Sequence, residues 1–167
     1  MSKTALLVID VQKDVVANGY KTSEVVSHIN SLINQARTKD LPVIWVQHSD
    51  DYLIKGSDGW DFVDELKPAS DDLRIYKTEA SSFAGTPLLE ELKSRGISHL
   101  VVTGAQTDMC VNATSNAGVE LGFEVTLVSD AHTTEDNQQA KAADIIADKN
   151  RSFASLGEVL PTSAISL

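Results

Sequence analysis

The sequence predicts a three-layer α/β/α fold on a doubly wound, mainly parallel, six-stranded sheet, Rossmann-like in outline and contained in one domain over residues 1–167. Three observations carry this expectation. Near-continuous apolar runs recur along the chain, and strands apolar on both sides belong to parallel sheets covered on both faces. Between these runs, apolar residues fall at helical spacing, so strands and helices alternate. No linker, tandem repeat or low-complexity tract divides the 167 residues, a length that suits one domain with a sizeable core.

The elements follow in order. "TALLVID" (Thr4–Asp10) reads as the first strand and ends in an acid. Ser23 is placed to cap a helix whose apolar stripe is Val25, Val26, Ile29, Leu32, Ile33 and Ala36. "PVIWVQH" (Pro42–His48) is the second strand. Ser49–Asp72, with "KGSDGWDF" at its centre, is the one long irregular insert, and such loops are often functional. "LRIYK" (Leu73–Lys77) is a short third strand, and Thr86 before Pro87 opens a helix over Pro87–Ser94. "HLVVTG" (His99–Gly104) and "EVTLVSD" (Glu124–Asp130) are the fourth and fifth strands. The helix between them, Met109–Leu121, puts Cys110, Ala113, Thr114, Ala117 and Leu121 on one narrow face. A last helix starts at Thr134 or Asp136 and runs through Ala140, Ala143 and Ile146. "SFAS" (Ser152–Ser155) is the candidate sixth strand.

Composition narrows the function classes. An apolar fraction of 42% with 23% charged residues is that of a globular protein rather than a disordered chain. The formal net charge of −10 argues against nucleic acid or an anionic membrane as partner, since phosphate binding relies on Lys and Arg. The N-terminal apolar run is too short for a signal segment or a membrane span, so a cytoplasmic protein is expected. The single cysteine forms no internal disulfide, and no Cys/His cluster has zinc spacing.

Ligands of doubly wound folds sit beyond the carboxyl ends of the strands. That rule selects Asp10, His48, Lys77, the Gly104–Cys110 turn and Asp130–His132. Cys110 lies near the first turn of a helix, where free N–H groups and the helix dipole favour thiolate and could hold an oxyanion. The competing reading is a buried structural cysteine. Asp10 is either a working acid/base or a turn residue. Lys77 is either a charge stabiliser or a lysine reaching into solvent. Taken together, the three supply a nucleophile, a proton acceptor and a cation. A catalytic Cys110 is expected to react with a small alkylator far faster than a model thiol near neutral pH.

"ALLVIDVQKDV", "KTEASSFAGTPLLEEL" and "LVVTGAQTDMCVNATSNAGVELGFEVTLVSDAHTT" resemble the isochorismatase-like cysteine hydrolases, a superfamily that includes nicotinamidases and N-carbamoylsarcosine amidase. The resemblance runs from Ala5 to about Leu160 and is most specific around Cys110. It implies an Asp–Lys–Cys triad at Asp10, Lys77 and Cys110. It also implies a cis peptide between Ala105 and Gln106, and an oxyanion hole from the Gln106 and Cys110 backbone amides. The implied reaction is attack of Cys110 on a small amide or ureido carbonyl, with hydrolysis of the thioester. Members usually self-associate, so a homo-oligomer, dimer or higher, is expected.

The match departs from two subfamilies. Nicotinamidases add an Asp-x-His and a second nearby histidine around a metal. Here His48 stands in "VQHSDDYLIKG" with no second histidine before His99, so no catalytic metal is expected. Isochorismatases proper cleave a vinyl ether and often lack the cysteine, a reaction Asp10 could serve without a thiol, and this remains the alternative. A non-catalytic binding relative is a further one. Candidate substrate contacts are His48, Trp60, Phe83, Thr107 and His132; Trp60 and Phe83 read equally well as core or interface aromatics. No cofactor is expected, because neither G-x-G-x-x-G nor a P-loop follows the first strand.

Overall fold

The computed structural model describes residues 3–167. Its first apolar run becomes β1, Lys3–Ile9, whose side chains alternate between two cores. Leu6 and Val8 join the cluster on one face of the sheet, while Ala5, Leu7 and Ile9 join the cluster on the other. That double burial is why the run shows no polar alternation. The remaining strands are β2 (Val43–His48), β3 (Leu73–Lys77), β4 (Ile97–Ala105), β5 (Glu124–Thr133) and β6 (Glu158–Leu160). They form one sheet in the order β3-β2-β1-β4-β5-β6, and every pair is parallel. The order reverses between β1 and β4, which opens the crevice typical of doubly wound sheets at the carboxyl ends of those strands.

The helices are α1 (Lys13–Val16), α2 (Thr22–Thr38), α3 (Leu88–Ser94), α4 (Asn112–Glu120) and α5 (Ala142–Phe153). The stripe expected on α2 is buried in full: Val25, Val26, Ile29, Leu32, Ile33 and Ala36. The long insert is largely irregular, with a single 3-10 turn at Asp58–Trp60.

Three expectations need correction. The sixth strand is Glu158–Leu160, not Ser152–Ser155. Ser152 and Phe153 instead close α5, whose Phe153 ring packs into the second core. The last helix begins at Ala142 rather than at Thr134 or Asp136. Asn137 Oδ1 accepts the Gln139 and Ala140 amides in a local turn that competes with helix, and Asp136 Oδ1 accepts the Ala142 amide at 2.8 Å, capping α5 from six residues upstream. The face expected on the Cys110 helix is also rotated. A π-helical turn at Thr107–Val111 precedes α4, so Val111, Thr114, Ser115 and Gly118 are buried while Leu121 is 43% exposed. A π turn holds one residue more than an α turn and shifts every later side chain around the axis.

Candidate active site

Strand register places the reactive groups. Ile9 lies opposite Val46 on one side and Gly104 on the other, so Asp10 emerges beside the ends of β2 and β4. His48 lies opposite Lys77. Asp10 turns out of the strand with φ 51°, a left-handed conformation that Asp tolerates better than most residues, and its amide donates to Val46 O at 2.9 Å.

Lys77, at the end of β3, is buried rather than reaching into solvent. Its ammonium lies 2.9 Å from Asp10 Oδ2, 2.9 Å from His48 Nδ1, 3.0 Å from Glu79 O and 3.2 Å from Cys110 Sγ. Four acceptors surround three N–H groups. The strand continues into "KTEASSF", and Ser82 ties this segment to the cysteine helix: its amide donates to Thr114 Oγ1 at 2.9 Å, and the two hydroxyls share a 2.9 Å hydrogen bond. Lys77 and Cys110 are thus held by elements that are themselves bonded together.

Cys110 sits in the π turn, which opens after a cis peptide between Ala105 and Gln106. The Gln106 carbonyl accepts the amides of Met109 and Val111, both at 3.1 Å. Thr134 Oγ1 donates to Asp108 Oδ1 at 2.8 Å and braces the same turn. The sulfur is half-buried and opens onto a crevice of about 610 Å³. Asp10, Gln106 and Cys110 form its floor; Val15, Leu53 and Met109 form apolar walls.

The electrostatics differ from the helix-dipole expectation. Burial pushes the Cys110 thiol up to about 12; the adjacent Asp10 charge pushes the same way, and Lys77 opposes both. Burial and the Asp10 charge thus oppose ionisation of the sulfur, and Lys77 favours it. Burial also raises the Asp10 carboxyl above its ordinary value, with Lys77 pulling against it. Asp10 Oδ1 is buried and has no hydrogen-bond partner, which leaves one carboxylate oxygen free to receive a proton.

Asp10, His48 and Cys110 present ligand atoms within 4.8 Å of one another, a set that could in principle hold a metal ion. The Lys77 ammonium bonds to all three, so these groups already share a buried cation, and a divalent ion would have to displace it. His48 Nδ1 accepts from Lys77 and its Nε2 lies 3.2 Å from Asp50 Oδ2, so both ring nitrogens are engaged.

The other candidate substrate contacts lie elsewhere. Thr107 and His132 are interior: Thr107 Oγ1 bonds His132 Nδ1 at 2.8 Å, and His132 Nε2 bonds Asn150 Oδ1 at 2.8 Å. Trp60 stacks on Tyr76 with ring centroids 6.0 Å apart and does not line the crevice. Phe83 stacks on Phe123 at 6.0 Å and packs against the second core. Each has the right neighbourhood along the chain, but Thr107 and His132 are buried, while the half-buried Trp60 and Phe83 are taken up by aromatic partners. Sequence reasoning missed Gln12, which is fully buried. Its Nε2 donates to His48 O and Trp60 O, both at 2.9 Å, and its Oε1 accepts the His48 amide at 2.9 Å. A polar residue two positions beyond a strand-end acid was the available signal.

A doubly wound parallel sheet gathers a thiol, a carboxylate and an ammonium over its switch point, the kind of site that hydrolases carry. The comparisons make this particular: the chain belongs to the isochorismatase family, whose model, described as the isochorismatase domain, matches residues 4–157. It is 30% identical over 171 residues to the ureidoacrylate amidohydrolase RutB of Klebsiella pneumoniae, covering 77% of this chain and 72% of that protein. It is 32% identical over 174 residues to a protein of Arabidopsis thaliana named "Probable inactive nicotinamidase", covering 88% of each. A solved structure of an isochorismatase family protein superposes with a TM-score of 0.91 at 31% identity, over 94% of this chain and 97% of that one.

Proposed function

We propose that the protein is a metal-independent cysteine hydrolase that cleaves a small amide or ureido C–N bond through a thioester on Cys110. The observation that carries this reading is the Lys77 ammonium bonded to both Asp10 and Cys110, with the free Asp10 Oδ1 beside them. The name of the RutB relative, an amidohydrolase, supports the same bond type.

Asp10 accepts the thiol proton as the sulfur attacks the carbonyl carbon, so no free thiolate accumulates. The carbonyl oxygen becomes an oxyanion, received by the Gln106 and Cys110 backbone amides. As the tetrahedral adduct collapses, the C–N bond breaks and Asp10 returns the proton to the departing amine. Asp10 then takes a proton from water, whose oxygen attacks the thioester. The C–S bond breaks, the carboxylic acid (a carbamic acid from a ureido substrate) leaves, and the sulfur regains its proton. Lys77 stabilises negative charge as it passes between sulfur and carboxylate. The reading includes a single domain over residues 1–167 and a self-associated, cytoplasmic protein; among the described residues, no helix is long and apolar enough to cross a membrane.

A screen of small amides and ureido compounds, read by ammonia release, tests the proposal. Turnover should fall at least about 10³-fold in Cys110→Ala and about 10²–10⁴-fold in Asp10→Asn. Undiminished ammonia release by folded Cys110→Ala would refute the covalent route.

A further inference from the structure

The crevice above Cys110 has a one-sided charge distribution, and that bears on which carbonyl compounds can enter it. Its lining includes three acidic residues, Asp10, Asp14 and Asp50, together with His48, and among the described residues no Lys or Arg lines it. Lys77 lies beneath the floor with 0% side-chain exposure, and its three N–H groups are already shared among four acceptors. It therefore has no donor to spare for a substrate carboxylate.

Two lysines of the surrounding segments are engaged elsewhere. Lys13 pairs with Asp58 at 2.9 Å and Asp64 at 3.5 Å, and Lys55 lies 4.3 Å above the Tyr76 ring. Asp50 is held as a carboxylate. The Leu53 and Tyr52 amides donate to it, keeping its acid strength high, and its other oxygen faces His48 Nε2. Asp14 is exposed at the crevice edge and sits against Gly59. Inside, the buried Asp10 Oδ1 has no partner, so the floor adds one more unpaired acceptor beside the sulfur.

A cleft lined by one sign of charge with apolar walls concentrates ligands of the opposite sign and repels those of its own. A carboxylate entering this one would lose its hydration with no cation to replace it.

We propose that this crevice admits small amides whose remote end is neutral or positively charged, and discriminates against amides and ureido compounds that carry a carboxylate. The proposal rests on the hydrolase reading above for its reacting bond. The charge preference itself is a property of the crevice and can be read without turnover.

Cys110 is the only cysteine in the chain, so a thiol label reports this site alone. The protein is labelled in parallel with three methanethiosulfonates: methyl (neutral), trimethylammonioethyl (cationic) and sulfonatoethyl (anionic). Each rate is followed by intact mass and divided by that reagent's rate with free 2-mercaptoethanol. After this correction, the cationic reagent should outpace the anionic one by at least about tenfold. The ratio should narrow in 1 M salt, where screening is strong, and should narrow at least about threefold in Asp14→Lys. Asp14→Asn, a smaller change at the same exposed position, should narrow it less. An anionic reagent that reacts as fast as or faster than the cationic one would overturn the proposal. So would an anion preference that appears only at high protein concentration, which would mean that a second copy supplies a cation.

The substrate arm uses pentanamide, 5-aminopentanamide and glutaric acid monoamide, matched in length and differing in terminal charge. The first two should exceed the third at least about tenfold in kcat/KM. A best rate with the carboxylate compound would overturn the charge proposal. If none of the three is turned over, while the reagents still rank cation first, the amide reading is what has failed and the charge preference stands.

Discussion

The Lys77 ammonium and the Asp10 carboxylate lie 2.9 Å apart with side chains 0% and 2% exposed, so each is the other's main compensation for lost water. An ion pair this deep adds little net stability, yet removing one partner strands the other. Lys77→Met should therefore destabilise the fold by about 3–5 kcal/mol in urea unfolding near neutral pH. Adding Asp10→Asn should recover part of that loss. Full additivity in the double variant would mean that the two charges do not interact.

The thiol value of about 12 predicts how Cys110 responds to pH. Labelling with iodoacetamide should be slow at neutral pH and should rise close to tenfold per pH unit between 7 and 10, because the thiolate fraction is still climbing. A plateau above pH 8 would indicate a thiolate already formed, contrary to the burial and the Asp10 charge around the sulfur.

In the proposed mechanism Asp10 is the base, so activity requires it ionised. Burial raises its folded value above the ordinary 3.8, with Lys77 opposing. The acid limb of kcat/KM should accordingly fall above pH 3.8, with activity lost as pH drops through it. A limb at or below that value, measured on protein shown to stay folded, would remove Asp10 from the role.

His132 is buried, with both ring nitrogens bonded, and burial lowers its pKa from 6.5. A histidine depressed in the folded state binds its proton more readily when unfolded. The stability it contributes is therefore fully present above pH 6.5 and is lost as pH falls from there toward the folded value. The difference in unfolding free energy between wild type and His132→Gln should shrink over that interval. A difference that stays constant from pH 7.5 to 5 would contradict it.

Gly104 has φ 124°, and a Cβ there would lie 2.0 Å from Ile9 O. The contact falls at the β1–β4 pairing immediately before Asp10. Gly104→Ala should cost about 3 kcal/mol or more, because backbone rather than a flexible side chain must move. It should also lower kcat through displaced Asp10 and Cys110. Wild-type stability in this variant would show that the strands can separate there without penalty.

Much of this architecture was legible because its rules are local. Double-sided apolar runs announced β1, β2, β4 and β5, and the helical stripe of α2 was read residue by residue. Failures arose where a local rule was overridden. Asn137 and Asp136 bound nearby amides and delayed α5 to Ala142. An apolar fragment at Ser152–Ser155 was absorbed into that helix because Phe153 had a core to fill. The π turn around Cys110 inserted one residue that no spacing argument anticipates.

By itself the sequence determined which elements alternate and which residues end the strands. Asp10, Lys77 and Cys110 could thus be assigned to the same edge of a parallel sheet, since strand direction and crossover handedness leave few alternatives. Only the tertiary structure decided where the neighbouring side chains lie: His132 and Thr107 in the interior, Phe83 against the second core, Asp14 and Asp50 in the crevice lining. It alone also set the direction in which the surroundings shift the thiol. Desolvation and Coulomb energies sum over every atom around a group, and those neighbours come from strands and loops far apart along the chain.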